Sequence, residues 1–255
     1  MSKRANSTED FYNHVSDFYE SMIDFENNLL LRTHAYKGIF PVVGSIADIG
    51  CGVGVDSIAL ALNGHKVKSL DISPKMIEAV KANAIKYNVK IDAKVSSFDS
   101  IPKEYDNKFN GVVSVGNTIA HLTSKELSSA IKRIYKLLQP GGKIFLHSLN
   151  YDLIVRESKR INNITNRGGK IIICFYDFGK DEIDFNILSF PIEAPKEFSI
   201  VKTKHYPHSK NEIEIFLANA GFSKIKFMQN FEGEKFNAKT SKDLFVSAEK
   251  SNNNS

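Results

Sequence analysis

Residues 45–71 read SIADIGCGVGVDSIALALNGHKVKSLD. Ser45 to Ile49 is a short apolar run of buried-strand type, Val55 to Asn63 carries helical spacing, and Val67 to Leu70 is a second short run. Gly50, Gly52 and Gly54 stand at the turn between the first strand and the helix, where missing side chains let the backbone approach a ligand closely. Asp71 closes the second strand, 21 residues after Gly50. An acid at that tip can accept hydrogen bonds from both hydroxyls of a ribose. The order strand, glycine turn, helix, strand, acid predicts a parallel sheet with an adenosine at its edge.

The alternation continues outward. Pro74 to Tyr87 reads as a helix capped by Ser73, Ile91 to Val95 as a third strand, and Gly111 to Val115 as a fourth. A helix from Ser124 to Leu138 stops at Gln139-Pro140-Gly141-Gly142, and Lys143 to Leu149 is the fifth strand. Beyond Asn150, KIIICFYDF, DEIDFNILSF and EFSIVKTKHY are strand-like runs separated by short turns, which predicts antiparallel pairing. Ser209, Glu212 and Gly221 bracket a late helix, and SKIKFMQN and KDLFVSAE end the pattern as strands. Residues 8 to 43 read as helices that cover one end of the sheet.

The 255 residues, with 42% apolar content, suit one globular domain, or one domain with an inserted subdomain. The chain has 34 Lys+Arg against 29 Asp+Glu, and these charges are interleaved, so no basic block calls for nucleic acid. No apolar run approaches the roughly 18 residues of a membrane span, and MSKRANSTED lacks the apolar stretch of a secretory signal. A soluble, cytoplasmic protein is expected. Cys51 and Cys174 cannot supply a disulfide framework, and His205-Tyr206-Pro207-His208 lacks the neighbours of a metal frame, so no metal site is expected.

A dinucleotide loop would need glycine or alanine at position 55, which is Val55, and Asp48 would be a poor neighbour for pyrophosphate. A carboxylate beside the loop suits a ligand carrying positive charge, such as the amino group and sulfonium of S-adenosylmethionine (SAM). Together DIGCGVG, Asp71 and LLQPGGKIFL resemble the class I SAM-dependent methyltransferases over about residues 40 to 150. That resemblance implies an α/β, Rossmann-like, mostly parallel seven-stranded sheet with helices on both faces, plus the antiparallel β insertion after strand 5. In that family the loop, here Gly50, Cys51, Gly52 and Gly54 with Asp48, backs the methionine part of the cofactor, and the acid at Asp71 binds the ribose. The segment after the third strand, here Ser97 and Phe98, lines the adenine, and Ile72, Met76 and Val115 are expected along the same cofactor. For Phe98, a place in the hydrophobic core is an equal alternative.

Further segments resemble the glycine/sarcosine N-methyltransferases: FYNHVSDFYESMIDFE, Arg32-Thr33-His34-Ala35-Tyr36-Lys37, Gly116-Asn117-Thr118-Ile119-Ala120-His121-Leu122, Asn150-Tyr151-Asp152 and HYPHSKNEIEIFLANAGF. This resemblance implies that Arg32 pairs with the cofactor's methionine carboxylate and that Gly116 and His121 contact cofactor or substrate. It also implies that Asn117, with Tyr12 and Tyr19 of the lid-like first segment, serves methyl transfer. Each has a plainer alternative: a surface arginine, a turn-capping Asn117, a packing His121, and tyrosines on a helix's packed face. In that subfamily an arginine before Asn-Tyr-Asp holds the substrate carboxylate. Leu149 stands there in this chain, so glycine is not implied unless Arg156, Arg160 or another cation reaches the pocket.

The expected organisation is a helical cap at 1–43, a SAM-binding core at 44–150, the insertion at 151–206, a last helix and two strands at 207–249, and a disordered tail at 250–255. The expected activity is methyl transfer to a small acceptor, chiefly an amine or amino-acid nitrogen, leaving S-adenosylhomocysteine. An oxygen, carbon or sulfur acceptor, and a non-catalytic SAM-binding protein, stand as alternatives. The insertion's strand edges offer self-association into a homo-oligomer.

Overall fold

The structure is a computed structural model that describes residues 7–252. In chain order the elements are α1 (Thr8–Met22), α2 (Phe25–Ile39), β1 (Ser45–Ile49), α3 (Val55–Leu62), β2 (Lys66–Asp71), α4 (Pro74–Lys86), β3 (Ile91–Val95) and β4 (Phe109–Ser114). They continue as α5 (Ser124–Leu137), β5 (Leu138–Leu149), α6 (Tyr151–Glu157), β6 (Ile161–Arg167), β7 (Lys170–Phe178), β8 (Ile183–Pro191), β9 (Ser199–His205), α7 (Lys210–Ala220), β10 (Phe222–Met228) and β11 (Asp243–Lys250).

Seven strands form the main sheet in the order β10-β11-β5-β4-β1-β2-β3, with β11 antiparallel to both of its neighbours. Strand order reverses between β1 and β4, so the chain leaves their carboxyl ends in opposite directions and opens a crevice there. One face of the sheet packs against α5 and α7 through Leu127, Ile131, Ile134, Ile213 and Leu217. The other face contributes Ile46, Val113 and Phe145 to a cluster shared with α1, α2 and α3.

Local chemistry explains the helix boundaries that position the crevice. Thr123 and Glu126 form a reciprocal capping box at α5, and Ser73 accepts the Met76 N–H at the start of α4, next to Pro74. The second sheet runs β6-β7-β8-β9, all antiparallel. Its inner face carries Ile172, Cys174, Ile187 and Val201 into the same cluster as Phe11 and Val15 of α1. Helix α1 is thereby held between the second sheet and α4.

Three details differ from the sequence reading. Strand β5 begins at Leu138, five residues before Lys143, because Leu138 pairs with Phe109 before a register shift resumes pairing at Gly111 and Lys143. The Gln139-Pro140-Gly141-Gly142 segment therefore lies within an irregular strand end. Helix α6 and strand β6 were not anticipated: α6 spans a single short apolar stretch, and INNITNR has only two isoleucines to betray a strand. Lys250 does not belong to a loose tail. It closes β11, and its Nζ donates to Asn107 Oδ1 and to the Tyr135 and Leu138 carbonyls. Residues 1–6 of the expected cap and 253–255 of the expected tail lie outside the described residues.

Asn150 ties the end of β5 to the 238–242 segment. Its Nδ2 donates to the Ala238 and Ser241 carbonyls, its Oδ1 caps α6 at the Leu153 N–H, and it is 2% exposed. Asn150→Ala leaves the buried Ser241 carbonyl, the Ala238 carbonyl and a helix N–H without this partner, and should lower the unfolding free energy by about 2–4 kcal/mol in urea titration. A loss below about 0.5 kcal/mol would show that the segment is held by other contacts.

Candidate active site

A cavity of about 800 Å³ opens at the carboxyl edge of the parallel strands. The turns after β1, β3 and β4, the end of β2, and one face of α1 wall it. At its base the glycine turn folds back on β2, with the Gly50 and Cys51 N–H groups both donating to the Leu70 carbonyl, at 2.7 and 3.1 Å. Gly50 has φ +73°, and a Cβ there would lie 2.2 Å from the Thr118 side chain. Only glycine lets the turns after β1 and β4 approach so closely.

The Asp71 carboxylate accepts from the Gly52 N–H through Oδ2 and from the Ser73 N–H through Oδ1, each at 2.9 Å. Burial pushes its pKa up, and these backbone donors oppose the shift. The acid is pinned at the cavity wall with lone pairs left to accept further donors. Ile72, Ser97, Phe98, Val115 and Gly116 also line the cavity, as do Cys51 and Gly52. Phe98 in addition packs at the edge of the core, so its two alternatives coexist.

Arg32 lines the cavity and is ion-paired to Asp56, which also accepts from Tyr36 Oη at 2.6 Å. Arg32 Nε is buried and has no hydrogen-bond partner. Asp56 was not singled out in the sequence, although an acid in the first turn of the apolar helix VDSIALAL is the signal that could have found it. Thr118, Asp99 and Leu122 are further wall residues that sequence reasoning missed.

Tyr12 and Tyr19 project from α1 onto the opposite wall, with ring centroids 6.2 Å apart. Tyr12 Oη lies 2.8 Å from His121 Nε2, and the two rings meet edge-on. Burial pushes the Tyr19 hydroxyl up to about 12 and the Tyr12 hydroxyl well above its ordinary value, while it drives His121 down to about 4. All three are uncharged at neutral pH. Behind His121 lies His205, ring centroid 4.8 Å away, stacked on Phe185 and bonded through Nδ1 to Tyr151 Oη. His208 pairs with Glu212 and the Leu122 carbonyl.

Four of the expected site residues, and Leu149, take other places. Asp48 does not face the cavity: it is 1% exposed and accepts from Ser57 Oγ at 2.6 Å, tying β1 to α3. Gly54 is the left-handed N-cap of α3, and Met76 is fully buried in the core under α4. Neither is on the cavity wall. Asn117 spends its amide on the scaffold, donating to Tyr151 Oη at 2.8 Å and accepting from the Leu149 N–H at 3.0 Å and Ser148 Oγ at 3.2 Å. An amide so occupied positions the turn after β4, and Asn117 is not among the residues that line the cavity. Leu149 packs against Tyr151, Tyr176 and Ile183 in an apolar cluster, away from the cavity wall.

Residues 46–142 match a family described as a methyltransferase domain. A ubiquinone biosynthesis O-methyltransferase of Xanthomonas oryzae pv. oryzae (strain PXO99A) is 29% identical over 105 residues, which are 41% of this chain and 43% of that protein. The chain thus spans less than half the length of the curated relatives it matches. A SAM-dependent methyltransferase from Clostridium acetobutylicum ATCC 824 superposes with a TM-score of 0.75 at 14% identity, over 94% of this chain and 99% of that one. SAM-bound CalS10, an amino pentose methyltransferase from Micromonospora echinaspora, superposes with a TM-score of 0.62 at 14% identity, over 90% and 95%. Among the described residues no helix is long and apolar enough to cross a membrane.

In the unfolded chain an imidazole protonates near about 6.5, whereas His121 in the fold waits until about 4, so the unfolded state takes up the proton first as pH falls. The stability tied to neutral His121 is therefore present above about 6.5 and lost towards about 4. Relative to His121→Asn, the wild-type protein should lose about 2 kcal/mol between about pH 7.5 and about pH 5 in urea unfolding. Parallel pH curves for the two proteins would mean that the imidazole is not buried neutral. The crevice at the strand-order reversal, its glycine turn and the strand-end acid all lie within residues 46–142, the stretch that matches the methyltransferase-domain family, and the chain shares its fold with a solved SAM-dependent methyltransferase.

Proposed function

We propose that the protein transfers a methyl group from SAM to a small acceptor, chiefly to the nitrogen of an amine. The observation that carries this reading is the pairing, in one cavity, of the pinned Asp71 carboxylate and the buried, unpartnered Arg32 Nε with an uncharged wall of Tyr12, Tyr19 and His121. Asp71 keeps lone pairs for ribose hydroxyls, and Arg32 keeps one buried donor that a carboxylate of the cofactor would satisfy. When bound, SAM supplies an electrophilic methyl on a sulfonium.

The chain's own part is alignment and the exclusion of water. Helix α1 roofs the cavity and is clamped by Asn13 to Ser73 Oγ and by Glu20 to Asn83, each at 2.6 Å. Transfer to an amine moves positive charge from sulfur to nitrogen without creating net charge, so neutral hydroxyls and ring faces suffice to receive it. His121 Nε2 and Tyr12 Oη share one proton between them, which leaves the pair able to orient a nucleophile's N–H.

A second reading, an oxygen acceptor, is favoured by the names of the curated relatives.

Calorimetric titration with SAM and with S-adenosylhomocysteine should give one site for each, and Asp71→Ala should weaken SAM binding by about 10- to 100-fold. No binding by a chain shown to be folded would end the reading. Mass spectrometry of products from a metabolite mixture should then find N-methyl species, and methyl ethers alone would favour the second reading.

A further inference from the structure

The charges around the cavity bear on what the acceptor carries. Three cations lie on its walls among the described residues. Arg32 is paired through Nη1 with Asp56, and its Nε is buried without a hydrogen-bond partner. Arg133 spends Nη1 on Asp106, Nη2 on the Pro102 carbonyl and Nε on the Ile101 carbonyl. Lys125 stands two turns earlier on the same face of α5, exposed to solvent at the helix start. That face flanks the loop after β3, through the Arg133 bonds to Ile101 and Pro102. Arg156 and Arg160 are not wall residues: the first donates to the Lys239 carbonyl and the second is paired with Asp177.

The wall made by α1 and the turn after β4 is of another kind. Tyr12, Tyr19 and His121 present three rings, two of them joined by a hydrogen bond, beside Ile23, Val115 and Leu122. With Arg32, the nearest cation, taken up by Asp56 and the cofactor's carboxylate, an anion buried against this wall would lose its hydration and gain no counter-ion, and Asp71 on the same cavity would repel it. A neutral amine meets no such penalty, because the hydroxyls satisfy its N–H and ring faces attract the positive charge that develops on its nitrogen.

Resting on the methyl-transfer reading, we infer that the acceptor is an amine that bears no carboxylate, seated against Tyr12, Tyr19 and His121, and that free amino acids are excluded. The acceptor's body is uncharged, and its nitrogen is the polar group that reaches the Tyr12–His121 pair. Selectivity arises from what the wall lacks as much as from what it offers.

The experiment uses the full chain with SAM and measures kcat/KM by S-adenosylhomocysteine formation for matched pairs. Each pair is an amine and the same amine with an α-carboxylate, or an amino-acid amide and its free acid. The carboxylate-free member should be preferred by about 100-fold or more, the discrimination expected when one partner leaves a charge unpaired in the site. A carboxylated member used as well as its partner overturns the inference, and so does a protein that binds SAM yet methylates no carboxylate-free amine in the panel. SAM binding is measured separately by calorimetry, and its absence would overturn the methyl-transfer reading itself.

Discussion

Everything at the cavity depends on two backbone turns passing close to each other where β1 and β4 diverge. Gly50 sits against Thr118 with no space for a side chain, and the Gly50 and Cys51 amides are drawn onto the end of β2. This close passage brings the Gly52 N–H within reach of Asp71 and sets the acid at the crevice. The acid, in turn, receives the Ser73 N–H, and Ser73 caps α4 while its hydroxyl holds Asn13 of α1. One steric condition thus links sheet, cavity acid, helix start and roof.

Around that point the protein buries acids with unequal support. Asp56 has a guanidinium and a tyrosine hydroxyl, Asp71 has two backbone amides, and Asp48 has a single serine hydroxyl. The pKa of Asp48 is accordingly raised well above the usual carboxylate range, chiefly by burial and then by Asp56. The charges that face the cavity are therefore set by which acid is paired, and proximity in sequence to the glycine turn is a poor guide.

The same distinction explains what could be read before the fold was known. The parallel half was legible because each strand, turn and helix there carries its own local signal, from the apolar run at Ser45–Ile49 to the Ser73 cap. The wall residues Asp71, Ser97, Gly116, Tyr12 and His121 were also reachable, since strand ends and the first helix place them. Asp48, Met76 and Asn117 were misplaced because a sequence does not say which way a side chain turns at a strand end or helix start. Their polar and apolar partners, Ser57, the core under α4 and Tyr151, come from distant parts of the chain. Strand β6 was missed because its pairing with β7 is imposed by tertiary context and not by its own composition.

The roof gives the site a kinetic character of its own. Helix α1 supplies two of the three rings that face the cavity and is seated on α4 by Asn13 and Glu20, which do not line the cavity themselves. A ligand bound beneath α1 leaves by disturbing that seat, so residence time is governed by residues that never touch the ligand. Tight clamps protect the reaction from water and slow product departure, whereas loose ones speed exchange and admit solvent. On the proposed methyl-transfer reading, turnover is tuned at the seams of a helix, and variation along Asn13, Glu20 and Asn83 would reset its tempo without touching the rings that face the cavity.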